Sequence, residues 1–163
     1  MDHYTRCDIE SDIERIRTIL GCGIFAPENA RHPLFQSALT ELLIRLRDLL
    51  AKSENYAQRI AFSDDVTIKG SVTDVTALVA FIRDAVCHID SGKHNHDEFQ
   101  ARISFNTAFG AGCLIKFGDT RIESEYEDDV AFFFGPHRIY LKRHIARAFN
   151  EAVELLQPML EAR

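Results

Sequence analysis

The chain has 163 residues, with 19 Lys plus Arg against 25 Asp plus Glu, 46% hydrophobic and 27% charged, which is the balance of a single folded domain over residues 1–163. That composition excludes a disordered tail, a collagen-like fibre and a transmembrane helix, and the net charge of -6 argues against a uniformly basic surface for nucleic acid. Any phosphate-bearing partner must be held by a local patch.

The start, Met1 to Asp8, has no apolar stretch between a basic end and a small-residue cleavage site, so it does not read as a signal peptide. Cys7, Cys22, Cys87 and Cys113 form no C-x-x-C pair and no zinc-ribbon spacing. Both features predict a cytoplasmic protein with reduced thiols and no membrane partner.

In chain order, Ile9, Ile13, Ile16 and Leu20 make one stripe of an amphipathic helix that ends at Gly21-Cys22-Gly23. Pro33 suits a first helical turn, and Ala38, Leu39, Leu42, Leu43, Leu46, Leu49 and Leu50 give a wide apolar face to a second helix running to about Lys52. Residues 53–72 show no sustained period and read as a connection. Ser71 with Asp74 resembles a capping arrangement, and Val75, Leu78, Val79, Ile82, Val86 and Ile89 follow at helical spacing.

Cys113 to Phe117, Thr120 to Tyr126 and Val130 to Phe134 are short and rich in branched and aromatic residues, with Gly118-Asp119 and Glu127-Asp128-Asp129 as turns. They predict a small antiparallel meander. After Gly135-Pro136 the helical period returns through Leu141, Ile145, Phe149, Ala152, Leu156 and Met159. The expected fold is therefore mainly α, a helical bundle with a β-meander inserted before the C-terminal helix.

The back of the third helix is unusual. It carries Ala77, Ala80, Phe81, Asp84, Cys87 and His88, flanked by Arg83, with no Lys or Glu from Val75 to Ile89. A solvated face normally bears long charged side chains, whereas small residues admit another backbone closely. This predicts a homodimer whose buried centre includes Ala77, Ala80, Asp84 and Cys87. Arg83 and His88 lie about 140° apart around a helix. A two-fold axis through this face would bring each Arg83 toward the other copy's His88.

Those residue types suit phosphodiester cleavage. Histidine can take or give a proton near neutral pH, and arginine offers a permanently charged planar fork to phosphate. No metal or cofactor is required. Arg83, Asp84 and His88 are the expected catalytic residues.

Here Ile82-Arg83-Asp84-Ala85-Val86-Cys87-His88 resembles the R-x4-H motif of HEPN domains, with Asp84 as the polar residue that commonly follows the arginine. The resemblance implies a HEPN-like bundle and a homodimeric, metal-independent RNA endonuclease. It also implies a toxin or defence component controlled by a nucleotidyltransferase-type antitoxin. The meander from 113 to 134 departs from the minimal bundle. A catalytically silent HEPN module that binds a partner or serves as a regulatory subunit is the alternative, with Asp84 anchoring a structural network.

Arg138 and His144 make a second match in the predicted last helix, but the small, uncharged face favours the first pair. Arg138, Lys142, Arg143 and Arg147 form a basic run that can hold an RNA backbone or pair with Glu123, Glu125, Glu127, Asp128 and Asp129. His94-Asn95-His96-Asp97 reads as a solvated loop rather than a metal site. Phe132-Phe133-Phe134 reads as core or partner-facing strand rather than a base-stacking platform.

Overall fold

The computed structural model describes residues 1–88, 90–96, 100–118 and 120–161. Helix α1 (His3–Gly21) starts at Asp2, whose carboxylate accepts the Thr5 N–H at 2.9 Å, one of the donors that a first helical turn leaves unpaired. Helix α2 (Phe35–Tyr56) begins two residues after Pro33 and runs one turn beyond the predicted end at Lys52. Its Leu39, Leu42, Leu43, Leu46, Leu49 and Leu50 are buried, and each contributes about 1.5–3 kcal/mol of transfer free energy. Helix α3 (Val75–Cys87) and helix α4 (Arg147–Glu161) pack on α2 and complete the helical layer.

The remaining chain forms strands. β1 (Asn95–His96) pairs with β2 (Ala101–Arg102), and β4 (Gly112–Phe117) pairs with β5 (Thr120–Ser124). β3 (Asn106–Phe109), β6 (Val130–Phe134) and β7 (His137–Tyr140) make a three-stranded antiparallel sheet with β6 in the centre. Because side chains alternate across a strand, Phe132 and Phe134 join the helical core. Phe133 and Ala131 join a second cluster with Ile103, Ile122 and Tyr140. A central strand covered on both faces explains the unbroken run of three phenylalanines.

This is a mixed α/β fold, and it corrects the mainly α bundle expected from the sequence. Four helices stand beside three small antiparallel sheets among the described residues. Two segments account for the difference. Residues 95–109 carry β1, β2 and β3, where no strand was expected, and β6 pairs with β3 and β7 rather than continuing the β4–β5 hairpin.

Gly135-Pro136 is the turn of a two-residue hairpin joining Phe134 to His137, not the start of a helix. Gly135 has φ 53°, and a Cβ there would lie 2.2 Å from the Lys93 carbonyl oxygen, so only glycine fits. Beyond β7 the chain makes a π-helical turn, Leu141–Ala146, before α4 begins. Buried Asp129 closes that entry by accepting the N–H groups of Val130, Lys142 and Arg143 at 2.8, 2.9 and 3.1 Å.

Candidate active site at the end of α3

Asp74 caps α3, accepting the Ala77 N–H at 2.8 Å, and Arg59 holds both carboxylate oxygens at 3.0 Å. Asp74 is thus the capping residue itself rather than the third position after a Ser71 cap. Val75, Leu78, Val79, Ile82 and Ala85 are buried, which fixes the rotation of the helix. The opposite face follows from that: Ala77, Ala80, Arg83 and Asp84 are half-buried, and Cys87 and His88 are exposed.

The helix ends at Cys87, earlier than expected, and Ile89 lies outside the described residues. His88 has left helical geometry, with φ -123° and ψ 83°, although its N–H still bonds to the Asp84 carbonyl at 2.9 Å. Arg83 Nη1 lies 2.9 Å from Asp84 Oδ1. Lys93 Nζ, carried back by the turn Gly92–His94, lies 2.6 Å from Asp84 Oδ2.

Partial burial alone would raise the Asp84 pKa. The Lys93 hydrogen bond and charge, with Arg83 and His88, outweigh it and hold the carboxyl below its ordinary value. Three basic side chains therefore act on one carboxylate within a single chain. The sequence placed Arg83 and His88 on separate sides of one helix and had no signal for Lys93, which is nine residues from Asp84 and outside any helical period.

The β region covers part of the small-residue face. The rings of Phe81 and His137 meet edge-on with centroids 4.4 Å apart, and Lys93 Nζ lies 5.2 Å from the Phe81 centroid. On the other flank, Arg83 and Cys87 line a cleft of about 470 Å³ together with Ile44, Arg45, Arg47 and Asp48 of α2. Ile44 is exposed there.

The second match has a different arrangement. Arg138 lies in β7, not in the last helix, and its guanidinium bonds to the Glu123 carbonyl and to Glu125 at 2.8 Å. His144 is fully buried in the π-helical turn, where Nδ1 accepts the Tyr140 N–H at 3.1 Å and Nε2 donates to the Asp64 carbonyl at 3.0 Å. Burial lowers its pKa, and both nitrogens already have structural partners.

The rest of the basic run is engaged too. Lys142 bonds to the Asp128 carbonyl, Arg143 pairs with Asp128 at 3.0 Å and Asp129 at 3.1 Å, and Arg147 pairs with Asp64 at 2.9 Å and Glu151 at 2.8 Å. Lys142 and Arg143 thus pair with the acidic turn, as Arg138 does with Glu125, whereas Arg147 finds its partners outside that set.

His94 and His96 are buried in a turn and strand, which corrects the solvated loop expected for them; Asp97 lies outside the described residues. Among the described residues no group of three or more His, Cys, Asp or Glu side chains is placed to hold a metal ion. The four cysteines are free and exposed. No described helix is long and apolar enough to cross a membrane. Comparison with family models, curated proteins and solved structures finds no match to the chain. The HEPN resemblance therefore rests on the segment Arg83 to His88 alone.

Proposed function

We propose that the protein is a metal-independent RNA endonuclease whose site is shared between two copies packed through α3. One observation carries the reading: Arg83, Asp84 and His88 gather at the end of a helix face that carries the small residues Ala77, Ala80 and Cys87 beside Phe81 and that the chain leaves partly open. In the proposed chemistry, one His88 takes the proton of a ribose 2′-hydroxyl, and that oxygen forms a bond to the adjacent phosphorus. The P–O5′ bond breaks, and the second copy's His88 gives a proton to the departing oxygen. Arg83 faces the phosphoryl oxygens as their charge grows, and Asp84 orients the guanidinium.

The deciding experiment incubates the purified protein with RNA in EDTA beside His88→Ala and Arg83→Lys. The expected result is cleavage by the unmodified protein and loss of most of it in both variants, since a point charge does not reproduce the arginine fork. Equal cleavage by all three removes the reading.

A second reading has its own observation. Asp84 is engaged on both oxygens, by Arg83 and by Lys93, as it would be in a structural network at a subunit contact. On that reading the protein is a silent partner-binding module, and a dimer that leaves RNA intact in the same assay is its signature.

A further inference from the structure

Beyond α3 the chain turns back at once. The Ser91 N–H donates to the His88 carbonyl at 2.9 Å and the Asn95 N–H to the Gly92 carbonyl, which coils the segment after His88 into the turn Gly92–His94. The β region pins this turn. Ile103 donates its N–H to the His94 carbonyl at 2.8 Å, and Gly135 donates its own to the Ile103 carbonyl at 2.8 Å. Gly135 also packs so closely on the Lys93 carbonyl that a Cβ at that position would collide with it. The Lys93 side chain therefore starts from a fixed point beside α3.

Its amine reaches two residues of that helix. Nζ lies 5.2 Å from the Phe81 ring centroid and 2.6 Å from Asp84 Oδ2, while Arg83 Nη1 holds the other carboxylate oxygen at 2.9 Å. Arg83, Asp84 and Lys93 keep 25%, 34% and 34% of their side-chain surfaces exposed, so an approaching strand meets the charge of all three.

On charge alone, Arg83 and Asp84 cancel. A phosphodiester is negative, and a carboxylate beside the guanidinium repels it. Lys93 changes the sum, because two cations against one carboxylate present net positive charge to the strand. The same contact holds Asp84 by one oxygen and leaves the other to Arg83, which fixes the direction of the guanidinium.

We infer that Lys93 is a positioning residue of the cleavage site, acting through Asp84: it cancels the charge of the carboxylate and steadies it as it aims Arg83 at the phosphate, a conclusion that rests on the endonuclease reading. The β region thereby takes part in the chemistry, since the hairpin at Gly135 sets the backbone of Lys93. The phosphoryl group gains negative charge between the bound strand and the transition state, so loss of Lys93 falls more on turnover than on binding.

The test measures kcat and KM for RNA cleavage in EDTA by the full chain and by Lys93→Met, Lys93→Arg, Asp84→Asn and Lys93→Met combined with Asp84→Asn, each checked for folding by circular dichroism. The expected result is a folded Lys93→Met whose kcat falls at least about tenfold with a smaller rise in KM, and a Lys93→Arg that recovers most of the rate. In the Asp84→Asn background no carboxylate charge is left to cancel, and adding Lys93→Met costs less than about threefold more.

Three kinetic outcomes overturn the inference: an unchanged kcat in Lys93→Met, a loss confined to KM, which makes Lys93 a plain backbone contact, or the same fold-loss with and without the Asp84 carboxylate, which makes it act on the phosphate directly. Lys93→Gln takes the place of Lys93→Met if the latter does not fold, and loss of the fold in both marks a purely structural tie and overturns the inference too. Failure of the endonuclease reading looks different. The unmodified protein then cleaves no RNA, and both fall together, whereas failure of the inference alone leaves an active protein that still depends on His88.

Discussion

Acidification should destabilise the protein well above the range in which ordinary carboxylates titrate, and His137 supplies a large part of the effect. Burial holds its pKa at about 4, against an ordinary 6.5 for a solvated imidazole, and nearby Lys69 adds repulsion to any proton gained. The Thr67 backbone bond opposes these effects without overcoming them. Unfolding frees the ring to titrate near its ordinary value. As pH falls below 6.5, the unfolded chain takes up a proton that the folded one refuses, so stability is intact above that pH and is lost as pH falls toward 4. From those two values the loss is about 2 kcal/mol at pH 5 and about 3 kcal/mol at pH 4.

His144, also lowered by burial, adds a contribution of the same sign. Asp64 and Asp84, both held below the ordinary carboxylate value, lose their contributions only at lower pH. Asp12, raised by burial, acts in the opposite direction. Urea denaturation followed by circular dichroism from pH 7 to pH 4.5 measures the sum. In His137→Gln, which keeps a donor for Thr67 but cannot titrate, about 2 kcal/mol of the loss between pH 7 and pH 5 should disappear. An unchanged slope in that variant refutes the reasoning, as does a wild-type stability that is flat over this interval.

Ala80→Arg should split the expected homodimer by placing a long charged side chain on the half-buried small-residue face, and light scattering well above micromolar concentration measures it. A monomeric unmodified protein removes the shared site. Asp129→Ala strips three backbone amides and the Arg143 guanidinium of a buried acceptor and should cost about 3–5 kcal/mol in urea denaturation, whereas exposed Asp128→Ala should change little. Equal losses at the two positions contradict the role given to Asp129. If the nuclease reading holds, RNA products end in 2′,3′-cyclic phosphate and 5′-hydroxyl, and DNA and fully 2′-O-methylated RNA survive, because the internal nucleophile is missing. Mass spectrometry showing 5′-phosphate ends points instead to an activated water.

The helical stripes were legible because burial repeats every three to four residues: Ile9, Ile13 and Ile16 in α1, the six leucines of α2, and Val75, Leu78, Val79 and Ile82 in α3 are all buried. The same period assigned Asp84 to the far side of α3, where its side chain remains partly exposed. Candidate residues that share a helix with its core stripe can be found this way, because one rotation angle determines both.

The β region followed a different logic. His137-Arg138-Ile139-Tyr140 is too short for its alternation to stand out against the helical residues that follow, and its strand state depends on pairing with β6. The same pairing turns Gly135-Pro136 into a hairpin and sends Arg138 to Glu125 rather than onto a helix face. Lys93 reaches Asp84, and His137 reaches Phe81, only because the 92–96 segment and β7 fold back over α3. Such contacts join residues 9 and 56 positions apart and follow no local period, so their chemistry arises from packing between elements and is absent from any one of them.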